Sequence, residues 1–70
     1  MNYVAVRSSN IAAIAYDDEG RTLGVRFTHG GEYWYHGVPG CVYQGLAGAE
    51  SKGRYFGEFV ANAYACAKVR

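Results

Sequence analysis

The stretch Gly31-Glu32-Tyr33-Trp34-Tyr35-His36-Gly37 places three aromatic rings in a row between two glycines. In a strand, successive side chains point to opposite faces of the sheet. Tyr33 and Tyr35 would therefore share one face, and Trp34 would share the other with Glu32 and His36. Because Trp34 has polar neighbours on its face, we expect that face to meet solvent. The segment predicts a strand with one buried face and one open face.

Short strands joined by tight turns precede this segment. We predict four strands, at residues 3–7, 11–16, 22–28 and 32–36. In the third strand, Leu23, Val25 and Phe27 are expected to point inward and Arg26 outward. Gly20 is expected to provide a positive φ in the turn that precedes that strand. The first half of the chain therefore predicts an antiparallel meander of three to four strands.

The hydrophobic period changes to that of helices in the second half. Pro39 suits the first turn of a helix, where its missing N–H costs nothing, and apolar residues then recur at helical spacing as far as Ala49. A second apolar stripe from Tyr55 to Ala67 predicts a helix that runs to the C-terminus. Lys68 and Arg70 would close it at the negative end of the helix dipole. The sequence thus predicts one α+β domain over 1–70, with two helices on one face of the sheet.

Composition bounds the function. The chain has 70 residues, seven of them basic and six acidic, for a net charge of +1. So small a chain has little room for an enzyme cleft, and the balanced charge weakens nucleic-acid binding without excluding it. No apolar stretch approaches the roughly 20 residues that span a bilayer, and no signal-peptide pattern opens the chain. We therefore expect a cytoplasmic protein, a monomer, with no membrane partner.

Candidate chemical sites are few. The side chains of His29, His36, Cys41 and Cys66 are zinc-ligand types, but their spacing matches no compact zinc motif. Both cysteines lie in predicted helices among apolar neighbours, which favours buried free thiols over a disulfide between them. There is no nucleophile elbow and no phosphate loop. The sequence predicts no catalytic residue, no metal and no cofactor.

Several segments together resemble the KTSC domain family, over most of the chain from about Val6 to Tyr64. The similar segments are VRSSNIAAIAYD (6–17), TLGVRF (22–27), GEYWYHGVP (31–39) and VYQGLAGAESKGRYF (42–56). The most specific parts are the central Tyr-x-Tyr, here Tyr33 and Tyr35, and the Ser-x-Gly-x-Tyr-Phe run at 51–56. The chain departs from the family pattern at Gly57, where Asn is usual, and at Ala15, where Gly is common.

The resemblance implies a binding role rather than catalysis. The family is named after the C-terminal end of some lysyl-tRNA synthetases, and that attachment suggests RNA binding. Members also occur as stand-alone proteins in bacteria and phages. This chain is similar in size and character to a short phage regulator that binds the host's RNA polymerase, blocks initiation and promotes antitermination. We favour polymerase binding because of the near-neutral charge and the resemblance to a stand-alone regulator, and keep an RNA-binding module as the alternative.

Candidate partner-binding residues come from the open face and from the connection between the helices. They are Arg26, Glu32, Trp34, His36, Lys52 and Arg54. Exposed aromatic rings on a sheet stack on bases or anchor protein partners, and an outward Arg26 would lie beside Trp34. Two simpler interpretations stay open. In the first, Trp34 packs against Arg26 or an outward tyrosine and binds no partner. In the second, the basic residues are solvated surface charges without a binding role.

Overall fold

The computed structural model describes all 70 residues and contains five strands and two helices. The strands are β1 (Val4–Ala5), β2 (Ile11–Asp17), β3 (Thr22–Phe27), β4 (Glu32–His36) and β5 (Cys66–Lys68), and the helices are α1 (Gly40–Gly48) and α2 (Lys52–Phe59). The strands form one antiparallel sheet in the order β1-β2-β3-β4-β5. The predicted α+β class, the meander and the two helices are confirmed.

The core lies between one face of the sheet and the two helices. Tyr35 is 6% exposed and belongs to this core, so the face on which β4 places its tyrosines is the buried one, as predicted. The buried hydrophobic cluster contains Ile11, Ile14, Leu23, Val25, Tyr35, Val38, Leu46 and Val60. The inward positions predicted for Leu23 and Val25 are confirmed, while Phe27 is half-buried at the edge of the cluster.

A bulge in β2 interrupts the alternation of its side chains. The register against β3 shifts between Ile11 and Ala13, so that Ile11 pairs with Phe27 while Ala13 pairs with Arg26. A bulge inserts one extra residue and reverses the alternation beyond it. Ile11 and Ile14, three positions apart, therefore both reach the core.

The C-terminal segment differs from the prediction. The second helix ends at Phe59 instead of running to the C-terminus, and residues 66–68 form a fifth strand. This strand pairs with β4, and the pairing continues because Val69 donates its backbone N–H to the Glu32 carbonyl. Without it β4 would be an edge strand with a row of unpaired backbone groups. Lys68 consequently ends this strand and Arg70 follows it, and neither residue caps a helix.

Two local expectations are also wrong. The positive φ in the turn before β3 belongs to Arg21, at 52°, and not to Gly20. Cys41 and Cys66 are free, as expected, but both are exposed. Cys66 lies on an edge strand and Cys41 in the first turn of α1, so neither reaches the small core. Neither helix is long and apolar enough to cross a membrane.

Close packing of the two helices depends on a glycine. The Tyr55 ring of α2 lies so near Gly45 of α1 that a Cβ at that position would collide with it. Ser51 begins α2 as its N-cap, since the side-chain oxygen accepts a hydrogen bond from the Arg54 backbone N–H. Ser51 and Tyr55, two residues of the Ser-x-Gly-x-Tyr-Phe run, therefore each have a structural role.

Candidate functional site

Three of the candidate residues meet on the helix-free face of the sheet. The Arg26 Nε donates to Glu32 Oε1 at 3.1 Å, and Arg26 and Glu32 are cross-strand partners on β3 and β4. Tyr3 joins them: its hydroxyl donates to Glu32 Oε2 at 2.8 Å and accepts from Trp34 Nε1 at 3.2 Å. The Arg26 guanidinium lies 3.8 Å above the centre of the Tyr3 ring. We call Tyr3, Arg26, Glu32 and Trp34 the open-face network.

The open-face network shows how Trp34 is packed. Its indole is half-buried and hydrogen-bonded to Tyr3, so it packs against an outward tyrosine, which is one of the simpler alternatives. His36 lies two residues further along the same face and is exposed. Gly24, the cross-strand partner of Trp34, leaves room for the Tyr3 side chain, which a Cβ would meet. The N-terminal segment thus covers a face that the sequence left open.

Burial and hydrogen bonding shift two pKa values in this network. The hydrogen bond from Tyr3, together with Arg26, lowers the pKa of the buried Glu32 carboxyl below its ordinary 4.5. Burial, together with the hydrogen bond to Glu32, raises the pKa of the Tyr3 hydroxyl above its ordinary 10.0. Both shifts favour a neutral phenol donating to a charged carboxylate, so the network is fully formed near neutral pH.

A second candidate region lies on the helix side, at the end where β4 meets α2. Aromatic rings line a cleft of about 860 Å³, and two of them belong to the Tyr-x-Tyr centre. Phe27 packs edge-to-face on Tyr33 at 5.7 Å and on Phe56 at 5.5 Å, and Phe56 packs on Tyr35 at 5.4 Å. Burial, and secondarily Cys66, raises the pKa of Tyr35 to about 12, so its ring stays neutral. We call this the aromatic cleft.

Polar atoms surround the rings of the aromatic cleft. His29 and Lys68 line it, as do the side chain of Asn10 and the backbone of Gly53. The rings supply flat apolar surfaces and the polar groups supply hydrogen-bonding atoms around them. A planar ligand with polar edges is the class of molecule that such a lining suits.

Lys52 and Arg54 belong to a smaller cavity beside the aromatic cleft. They were expected in a loop, but both lie in the first turn of α2. Together with Arg7 they line a cavity of about 250 Å³ that has no hydrophobic residue in its wall. We call this the basic cavity. Asn10 and Gly53 line both the cleft and the cavity, so the two adjoin at these residues.

The candidate residues therefore separate into two regions on opposite sides of the sheet. Arg26, Glu32, Trp34 and His36 lie on the helix-free face, and Lys52 and Arg54 on the helix side. Sequence reasoning missed the aromatic cleft and Arg7. A signal for the cleft was present, because Tyr33, Tyr35 and Phe56 belong to the two most specific motifs, but these rings were assigned to the core alone.

Metal binding finds no support in the geometry. No group of three or more histidine, cysteine, aspartate or glutamate side chains is placed to hold a metal ion. His29 lines the aromatic cleft, while His36 lies on the helix-free face.

Fold and site together define a small α+β domain whose signature residues converge on one groove, and comparison with known proteins identifies its family. Residues 7–64 match the sequence profile of the KTSC domain. The chain belongs to the KTSC domain family. An uncharacterized protein of Stutzerimonas stutzeri is 41% identical over 58 residues, covering 83% of this chain and 82% of that protein. A protein of Tsukamurella paurometabola is 46% identical over 50 residues, covering 71% and 75%.

A solved structure extends this result to the fold. The crystal structure of a KTSC domain protein from Yersinia pestis superposes with a TM-score of 0.96 at 36% sequence identity. The superposition covers 99% of this chain and 97% of that one. The C-terminal strand, which lies beyond the matched profile, is therefore within the shared fold.

The contact between Gly24 and Tyr3 predicts a reversal of sign in a double-mutant cycle. Gly24→Ala should lower the free energy of unfolding by about 1–3 kcal/mol, because the methyl group displaces Tyr3. In a Tyr3→Ala background the same change should stabilise by about 0.5 kcal/mol, since alanine suits a strand better than glycine. Urea denaturation of the four proteins measures both steps. Equal effects in the two backgrounds would show that Tyr3 does not cover Gly24.

The lowered pKa of Glu32 predicts an acid-dependent loss of stability. A depressed pKa means that the carboxylate stabilises the fold above its ordinary pKa of 4.5 and that this contribution is lost as the pH falls through the folded-state pKa. Thermal unfolding of wild type and Glu32→Gln should therefore differ most near neutral pH and converge on acidification. Glu50→Gln, on the exposed connection between the helices, is the matched control. A constant difference across the range would contradict the assignment.

Proposed function

We propose that this protein is a non-catalytic, single-domain module that binds single-stranded RNA through the aromatic cleft, as a monomer in the bacterial cytoplasm. The observation that supports this most is that the aromatic cleft and the basic cavity adjoin at Asn10 and Gly53. Sequence-tolerant binding of single strands uses aromatic rings for the bases and a positive groove for the backbone. Both components occur here side by side.

The position of the signature motifs supports the same site. Tyr33 and Tyr35 line the aromatic cleft, Ser51 lines the basic cavity, and Gly53 lines both. Phe56 closes the cleft from α2. Residues of two segments that are distant in sequence thus converge on one groove, which a purely structural role for either motif does not require.

The distribution of charge weakens the main argument against RNA. Net charge alone favoured a protein partner, because +1 is small for a nucleic-acid binder. The basic cavity, however, collects Arg7, Lys52 and Arg54 against the single carboxylate of Glu50. A local cluster of this kind is what contacts phosphate, and exposed charges more than a Debye length away are largely screened.

Removal of one ring of the aromatic cleft tests this function. Tyr33→Ala should weaken binding of a fluorescently labelled single-stranded oligonucleotide about fivefold to 100-fold, the usual effect of one lost base–aromatic stack. Tyr43→Ala is the matched control, because Tyr43 is also half-buried but stacks on Tyr16 at 5.1 Å, outside the cleft. Anisotropy titrations with salt varied measure both. Equal affinities for the two variants, or no binding by wild type, would reject the cleft as an RNA site.

A second candidate function is the binding of bacterial RNA polymerase, with inhibition of initiation and antitermination. The open-face network supports it: Arg26 is stacked on Tyr3, its side chain is 45% exposed, and Trp34 lies beside them. Tyrosine, tryptophan and arginine are the residues that dominate binding hot spots at protein interfaces. A pre-organised set of all three is a plausible anchor for a protein surface.

Capture from bacterial lysate with and without nuclease separates the two functions. If the open-face network binds polymerase, polymerase subunits should remain bound after nuclease and should be lost with Arg26→Ala. Arg21→Ala, which removes an arginine outside the network, should leave capture unchanged. Absence of polymerase from the nuclease-treated sample would end this candidate.

A further inference from the structure

We propose that the basic cavity is a discrete binding site for a single phosphate group, which holds one nucleotide whose base lies in the aromatic cleft. The site is assigned from the cavity's own atoms and deepens the proposed function. The inference depends on the proposed RNA binding in one respect, namely that the phosphate belongs to a nucleotide. The aromatic cleft and the basic cavity then bind two parts of one ligand.

The size of the basic cavity suits a small polar group. At about 250 Å³ it is smaller than the pockets of roughly 300–1,000 Å³ that take drug-sized ligands, whereas the aromatic cleft at about 860 Å³ falls within that range. None of its nine lining residues is hydrophobic. The cavity therefore offers a nucleobase no apolar surface on which to stack, whereas the adjoining cleft offers aromatic rings.

The polar atoms of the basic cavity are arranged as donors. Arg7 and Arg54 make no ion pair and no side-chain hydrogen bond, so both guanidinium groups are free. The Lys52 ammonium donates one hydrogen bond, to the Ala49 carbonyl at 2.9 Å, and has two N–H donors left.

Two of the three serine hydroxyls that line the cavity, those of Ser8 and Ser51, are also available as donors. Ser8 Oγ accepts from the backbone N–H groups of Asn10 and Ile11, and Ser51 Oγ accepts from that of Arg54. These bonds use lone pairs of the oxygens, so each hydroxyl keeps its proton to donate. A ligand with several acceptor oxygens can pair with these donors.

The local charge selects an anion. Three cationic side chains against Glu50 leave the cavity at +2, which exceeds the net charge of +1 for the whole chain, so the remainder of the molecule is at −1. The cavity therefore attracts an anion more strongly than the rest of the surface does on average. Phosphate combines negative charge with acceptor oxygens, and arginine binds it in a bidentate manner.

The adjoining walls connect phosphate to base. Gly53 packs against Asn10, and a Cβ at Gly53 would lie 3.4 Å from Asn10 Nδ2. The boundary between the cavity and the cleft is thus formed by one small residue and one amide side chain. A nucleotide crosses this boundary with its sugar, since the phosphate and the base lie on opposite sides of it.

Titration with inorganic phosphate, followed by NMR at constant ionic strength, tests the site without RNA. Saturable shifts are expected for the backbone amides of residues 8–10 and 51–54. Arg54→Gln should weaken binding about tenfold, as expected for a charge-assisted contact. Glu50→Gln should strengthen it about twofold to fivefold, because an exposed opposing charge is removed. Arg21→Gln carries the same loss of charge outside the cavity and should leave affinity unchanged.

Adenosine monophosphate, adenosine and an oligonucleotide without terminal phosphates form the remaining arms. Tighter binding of the monophosphate than of phosphate or adenosine supports one nucleotide across both sites. Phosphate binding without any gain from a base supports the phosphate site and rejects the RNA function. No saturable shift with phosphate or the monophosphate overturns the inference, even if the oligonucleotide binds. Equal losses for Arg54→Gln and Arg21→Gln also overturn it, provided that both variants retain the wild-type spectrum.

Discussion

The alternation of side chains along β4 is the constraint on which the rest of the structure depends. Its pleat places Tyr33 and Tyr35 toward the helices and Glu32 and Trp34 toward the other side. A chain of 70 residues buries only 12 of them, so each face of this strand has to contribute. A shift of one residue in the register of β4 would exchange the two faces, replacing core rings with a carboxylate.

The rings that close the core also form the candidate site. Phe27, Tyr33, Tyr35 and Phe56 pack edge-to-face in one series that joins β3, β4 and α2. Edge-to-face packing leaves the flat faces of some rings uncovered, and the half-buried members of the series line the cleft. The same side chains therefore pack against the core and line the candidate site, and their apolar character in the sequence indicates only the first of these roles.

The parts predictable from the sequence were those fixed by local pattern. Strands β2 to β4 and the start of α1 follow from alternation and from Pro39. The C-terminal strand was not predictable, because alanines and a valine at 63–69 fit a helical stripe as well as a short strand, and only the unpaired edge of β4 decides between them. The packing of Tyr3 over Gly24 was not predictable either, because it is a tertiary contact between segments that are distant in sequence.

The contrast between local sequence pattern and tertiary contact also applies to charge. Net charge is a property of the sequence, and at +1 it favoured a protein partner. Charge density is a property of the fold, because loop 7–10 and the first turn of α2 meet only when the sheet and helices assemble. Electrostatic attraction falls off within about 8–10 Å in physiological salt, so a ligand at the cavity responds to the local +2. On the helix-free face, by contrast, Glu32 neutralises Arg26, and recognition there would depend on shape and aromatic contact.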